Sequence, residues 1–226
     1  MVESNITRWR VVLTMLRQFP SENSTMTSSK QTILSAIRQH QLAEAPLPSL
    51  DQQWITFADP RQQFSAVLES VGGRAVLVPN VAAIGAELSA IPAWKEARKI
   101  VTTVEGVESS SSQQRVDLQQ VDDPHVTEDI DFAILPGEFA VAENGAVWIT
   151  DSTVKQRAIY FIAQHLALVV RADQVVHNMH EAYRRLSFDA VRFGAFISGP
   201  SKTADIEQSL VIGAHGPRSM TVFLVG

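Results

Sequence analysis

Apolar residues recur along this chain at two periods, and the switch between them sketches alternating helices and strands. Phe64, Val67, Leu68 and Val71 fall on one face of a helix over residues 61–71, and Gly72-Gly73 supplies the stop. A short apolar strand follows at 74–79, a second helix at 81–91 and a second strand at 99–104. Strands this continuously apolar, separated by helices, imply a largely parallel sheet with helices on both faces, an α/β fold. Residues 105–124 break the pattern with four consecutive serines at 109–112. They read as a long surface loop with a short helix near 116–121.

The second half is denser. Strands are expected at 132–135, 139–142, 146–150, 165–170, 194–197 and 221–225, with helices at 157–164 and 175–186. Glu143-Asn144-Gly145 lies between two apolar runs, and Asn-Gly there predicts a type I′ hairpin turn. At the other end, Ile33, Leu34 and Ile37 sit at helical spacing behind Ser and Thr cap candidates. A domain over 27–226 begins naturally there, so residues 1–26 read as an N-terminal extension that an upstream start could add. The bland alternative is an ordinary amphipathic first helix. Residues 45–60 hold three prolines and read as a connector.

Composition narrows the function classes. The chain has 226 residues and 45% hydrophobic content, enough for one sizeable core. Its net charge of −5 and lack of a basic block argue against nucleic acid. It contains no cysteine, which excludes disulfides, a cysteine nucleophile and a thiolate-held iron–sulfur cluster within this chain. The apolar stretch at 9–16 is too short to span a membrane, and a cytoplasmic location is expected. No GxGxxG follows a strand, and Lys202 does not directly follow Gly199 as a P-loop would require. No cofactor is therefore expected.

Three places carry candidate chemistry. In residues 199–207 a Gly-Pro turn follows a strand, and Ser201 or Thr203 could cap a helix whose amino end, with Lys202, would accept a carboxylate or phosphate. A tight turn with nothing bound is the competing reading. His215, between Gly213 and Gly216, could meet a ligand or simply bond to backbone. Glu143 could contact ligand, or its hairpin could be turn geometry alone. On a helix over 175–186, His177, His180 and Glu181 would share one face, where a solvated surface outweighs a metal site; no metal is expected. Asp122, Asp123 and His125 read as solvated.

Two stretches carry a family resemblance. One is Phe139-Ala140-Val141-Ala142-Glu143-Asn144-Gly145-Ala146-Val147. The other is Ile197-Ser198-Gly199-Pro200-Ser201-Lys202-Thr203-Ala204-Asp205-Ile206-Glu207 followed by Gly213-Ala214-His215-Gly216-Pro217. They resemble the LUD-domain family, lactate utilization protein C type, although Asn144 stands where that family usually has Thr. The resemblance covers about residues 27–226. It implies a fold related to the NagB/RpiA/CoA-transferase group and a place in L-lactate utilization. It implies two partners, one cysteine-rich and one carrying iron–sulfur clusters, which together with this subunit support oxidation of lactate to pyruvate. It also marks Glu143, Gly199, Ser201, Lys202, Thr203, Asp205, Glu207 and His215 as candidate ligand residues. A second implication competes with the first: CoA transferases carry a catalytic glutamate in Ser-Glu-Asn-Gly, and this chain reads Ala-Glu-Asn-Gly at Glu143, which would make it an acyl- or CoA-transferase-like enzyme.

Overall fold

A computed structural model describes residues 28–40, 46, 48–50, 52–187, 191–203 and 211–226. The chain divides into two units, 1–51 and 52–226. The proposed extension at 1–26 lies outside the described residues. In the first unit, helix α1 (Ser29–Gln39) is closed at its start by a capping box in which Ser28 and Gln31 satisfy each other's backbone N–H groups. Ile33, Leu34 and Ile37 lie on this helix as expected, and all three are exposed.

The second unit is built on a parallel six-stranded sheet. Its strands are β1 (Arg74–Val78), β2 (Lys99–Thr102), β3 (Gln114–Arg115), β4 (Phe132–Pro136), β7 (His165–Arg171) and β12 (Ser219–Val225). They lie in the order β1-β12-β7-β4-β2-β3, and every neighbouring pair is parallel. The central strands are apolar on both sides, so successive residues enter different cores. In β4, Ala133 and Leu135 join one core, while Phe132 and Ile134 join the other.

Helices lie on both faces, as expected, and on one of them a second sheet shares the cover. Over one face lie α3 (Ile84–Leu88) and α4 (Pro92–Glu96), which contribute Ile84, Leu88 and Trp94. Over the other lie α2 (Pro60–Ser70), α5 (Ile159–Ile162) and a second, four-stranded sheet. That sheet comprises β8 (Val175–Val176), β5 (Phe139–Val141), β6 (Ala146–Thr150) and β9 (Gly194–Ile197), in that order. Its outer side packs Phe139, Val141, Trp148 and Val176 against Ala182 of α6 (Met179–Arg185). A two-stranded ribbon, β10 (Lys202–Thr203) with β11 (Val211–Ile212), completes the unit.

Local chemistry explains where elements start and stop. Asp59 caps α2 through the N–H groups of Arg61 and Gln62, with Pro60 at the first helical position. Gly72, at φ +86°, ends it in the left-handed conformation. Asp131 accepts the N–H groups of Arg98 and Lys99 at 2.8 and 2.9 Å, and so fixes the entry of β2 beside β4. The helix expected at 81–91 is a 3₁₀ turn at Val81–Ala83 leading into α3. The one expected at 157–164 contracts to α5. None of the described helices is long and apolar enough to cross a membrane.

The amino end of the sheet carries one titratable group with a direct bearing on stability. His165 opens β7, its Nδ1 lies 2.8 Å from Ser219 Oγ, and its ring stacks on Phe132. Burial holds its pKa below the ordinary value, and the nearby Arg218 charge pushes the same way against weaker opposing pulls from Asp131 and Glu96. Above the unfolded value near 6.5 both states are neutral at this site, and its contribution to stability is fully present. As pH falls below that value the unfolded chain takes up the proton first, so stability drops until the folded value is passed. Tm followed from pH 7.5 to 5 should therefore fall, and His165→Asn should flatten part of that fall. An unchanged slope in the variant would show that His165 contributes nothing.

Candidate ligand site

In open parallel sheets, ligands settle outside the carboxyl ends of the strands, where the chain departs in opposite directions from two neighbours. Here that place lies between β2 and β4. From β2 the chain goes outward to β3, and from β4 it goes the other way to β7. A cavity of about 420 Å³ opens at the carboxyl ends of β2 and β3. Thr102 and Thr103 come from the end of β2, Arg115 from β3, Asp117, Leu118 and Gln119 from the turn after it, and Thr153 from the segment following β6.

Each wall is fixed by identifiable bonds. Strand β3 is held to β2 through Gln114 N–H to Arg98 O at 2.7 Å and Val116 N–H to Ile100 O at 2.8 Å. The Arg115 guanidinium donates to Thr102 O at 3.1 Å. Buried Leu118 anchors the following 3₁₀ turn, Leu118–Gln120, in the main core. Asp117 closes that turn, accepting from Gln119 N–H at 3.0 Å and from the Gln120 amide at 2.9 Å. Its carboxylate is thus engaged locally. Lys155 and Gln156 tie the turn to the segment beyond β6, bonding to Gln119 O and Val121 O.

Two features of this cavity are chemically incomplete. Arg115 has no ion pair among the described residues. The Thr103 hydroxyl is buried without a hydrogen-bond partner among them. A buried polar group left unpaired costs about 1–3 kcal/mol, so native structures seldom keep one without a reason. Neither residue was singled out in the sequence. The available signal was two threonines ending an apolar strand, but β3 was hidden in a polar, serine-rich segment.

The residues the sequence did single out gather elsewhere, around α2 and the amino end of the sheet. The helix start expected at Ser201 or Thr203 is instead strand β10, paired with β11 through Lys202↔Ile212 and Thr203↔Val211. Ser201 N–H donates to Pro217 O, and Gly213 N–H to Ser201 O, both at 2.9 Å. The two motif stretches are thus knit into one structure, with His215 exposed on it. Arg218 N–H bonds to Gln164 O beside the start of β7, which puts this structure at the opposite end of the sheet from the cavity. Asp205 and Glu207 lie outside the described residues. Gly199, at φ +73°, passes so close to α2 that a Cβ there would meet Val71 O at 2.7 Å.

Glu143 is also placed by packing. The hairpin loop has four residues, 142–145, rather than a two-residue type I′ turn, and closes with Gly145 N–H to Val141 O at 3.0 Å. Asn144 Oδ1 accepts Ala146 N–H, and its backbone carbonyl accepts the Ser198 hydroxyl at 2.8 Å. The Glu143 carboxylate accepts the N–H of Met179, the first residue of α6, at 2.8 Å. Glu143→Ala should therefore lower stability by about 0.5–1 kcal/mol in urea unfolding, whereas Glu143→Gln, which keeps an acceptor, should lose less. Equal losses in the two variants would refute this capping role.

The expected helix over 175–186 is corrected as well. Val175–Val176 is strand β8, and the helix begins only after Asn178, whose side chain accepts Glu181 N–H at 3.0 Å. His177 therefore lies off the helix, where its Nδ1 accepts Phe57 N–H at 3.0 Å, and His180 stacks on Trp54. The shared face that a metal would need does not form. Asp122 and Asp123 have local partners, Lys155 and His125, each of which holds the acid below its ordinary pKa.

A family profile for the LUD domain matches residues 112–225, which include β3 through β12 and both motif stretches. The chain belongs to the LUD-domain family. Among curated relatives, lactate utilization protein C of Geobacillus thermodenitrificans is 27% identical over 207 residues, covering 87% of this chain and 80% of that protein. Lactate utilization protein C of Deinococcus radiodurans is 38% identical over 100 residues, covering 42% of this chain and 46% of that protein. A DUF162 family protein from D. radiodurans, solved by crystallography, superimposes with a TM-score of 0.55 at 19% identity, over 75% of this chain and 98% of that one. It supports the α/β fold. Within the LUD match lie Arg115, Gln119 and Thr153, while Thr102 at the end of the neighbouring strand and Thr103 just after it precede the match.

Proposed function

We propose that this protein is a cytoplasmic subunit of a lactate utilization system that oxidises L-lactate to pyruvate together with iron–sulfur partner proteins. The observation that carries this reading is the alignment to a lactate utilization protein C along most of both chains. Composition supports a division of labour. Electron transfer from lactate needs a redox group, and a chain without cysteine offers no thiolate to hold a cluster. The clusters then belong to partners, and this subunit contributes binding or assembly. A ligand role for Lys202 and Thr203 of β10 and for the exposed His215 belongs to the same proposal, as does kinship with the NagB/RpiA/CoA-transferase folds.

Acyl- or CoA-transfer through Glu143 is the competing reading. No geometry favours it, since the Glu143 carboxylate is occupied at the start of α6. The deciding experiment is deletion of the gene and growth on L-lactate as sole carbon source, with growth on pyruvate as control. The expected result is loss of growth on lactate alone, restored by the wild-type gene and by Glu143→Gln. Normal growth of the deletion strain on lactate would overturn the proposal.

A further inference from the structure

We infer that the cavity at the carboxyl ends of β2 and β3 binds a small hydroxy- or oxo-carboxylate, with Arg115 as counter-charge and Thr103 as hydroxyl partner. Position, charge and an unsatisfied group point the same way. The cavity opens at the carboxyl ends of β2 and β3, on the β2 side of the place where the chain diverges from β2 and β4, and its volume of about 420 Å³ falls in the range of small-molecule sites. Its one cation is the Arg115 guanidinium, which makes no ion pair among the described residues and is oriented by its bond to Thr102 O. The acid beside it, Asp117, is turned onto its own backbone turn and the Gln120 amide. The remaining polar groups are neutral: Thr102, Thr103, Gln119 and Thr153.

One fixed cation among hydroxyls and an amide suits a monoanion that also bears an oxygen next to its carboxylate. A planar guanidinium matches a carboxylate edge, and hydroxyl and amide groups can pair with the adjacent C–O. A phosphate dianion would leave more charge uncompensated. Thr103 lines the cavity, and its hydroxyl is buried there without a hydrogen-bond partner among the described residues. The larger cavity at the amino end of the sheet, about 600 Å³, is the weaker anion site. It sets Glu96, Asp129 and Asp131 against Arg218 and His165, and burial favours the neutral form of that histidine.

The choice of L-lactate and pyruvate as probes rests on the proposed function, whereas the anion site rests on the cavity alone. The test is calorimetric titration of the purified full chain with L-lactate, pyruvate and inorganic phosphate. Wild type should bind at least one of the two acids more tightly than phosphate. Arg115→Ala, at an exposed rim position, should weaken that binding about tenfold or more. Thr103→Val should weaken it severalfold while raising the Tm of the free protein, because a methyl group replaces an unpaired hydroxyl, and Thr103→Ser should keep the affinity. No binding of either acid, tighter binding of phosphate, or undiminished binding by Arg115→Ala would each overturn the site. Binding that persists in Arg115→Ala but is lost in Arg218→Ala would overturn it in favour of the amino-end cavity. Carboxylate binding by a protein whose gene is dispensable for growth on lactate would refute the proposed function and leave the site standing.

Discussion

Tyr160→Ala is expected to destabilise the second unit by about 4 kcal/mol, lowering Tm by on the order of 10 °C. Tyr160 is 1% exposed and is the largest fully buried side chain among the described residues. It belongs to the core between the parallel sheet and the four-stranded one, so its loss opens a cavity between layers that meet over rigid strands. Its hydroxyl also lies 3.3 Å from both Pro136 O and Thr150 O, the carbonyls that end β4 and β6. Burial, helped by the negative charges of Glu138 and Asp151, raises its pKa above the ordinary phenol value, so it remains a donor at neutral pH. Tyr160→Phe removes that donor alone and should cost about 1 kcal/mol. Urea unfolding of the three proteins separates the ring from the hydroxyl. A Tyr160→Ala protein as stable as wild type would show that the two layers do not depend on this contact.

Gly145→Ala should be nearly as damaging, by about 2–4 kcal/mol, for a different reason. Gly145 has φ +66°, which any side chain strains, and a Cβ there would meet Leu68 N at 2.9 Å and Leu68 Cα at 3.1 Å. Those atoms are helix backbone, which cannot step aside as a flexible side chain could. The expected result is a fall in Tm together with a loss of near-ultraviolet signal from Trp148, which lies on β6 just after the turn. A variant with normal stability would mean that the hairpin tip can lift from α2 without penalty. Paired with the smaller effect at Glu143, this comparison separates the motif's packing role from its charge.

Much of this architecture was legible because burial on both faces leaves a plain mark. Strands β4, β7 and β12 are runs of apolar residues, and α2 shows its buried Phe64 and Leu68 at helical spacing between a cap and two glycines. The illegible elements are those held by few residues and long-range bonds. Strand β3 is two exposed polar residues, fixed only by pairing with β2. Strands β10 and β11 pair across a stretch whose local sequence favours turns and caps. At 175–186 an apolar run hid a boundary that Asn178 and Glu181 marked, three residues apart as a helix start should be. The candidate cavity escaped for the same reason as β3, because its walls meet only after residues 102, 115 and 153 are brought together. The motif glycines at 145, 199 and 216 were legible as special positions, but each answers to close contact with backbone or side chains around it.

Strand β12 lies between β1 and β7, although it follows both in the sequence. During synthesis β1 therefore emerges long before residues 219–225, which pair with it. Until then the edges of β1 and β7 that β12 will cover stay open to other chains. The sheet thus stays open between β1 and β7 for longer than in a fold assembled in chain order, and shielding of the nascent chain matters more for it.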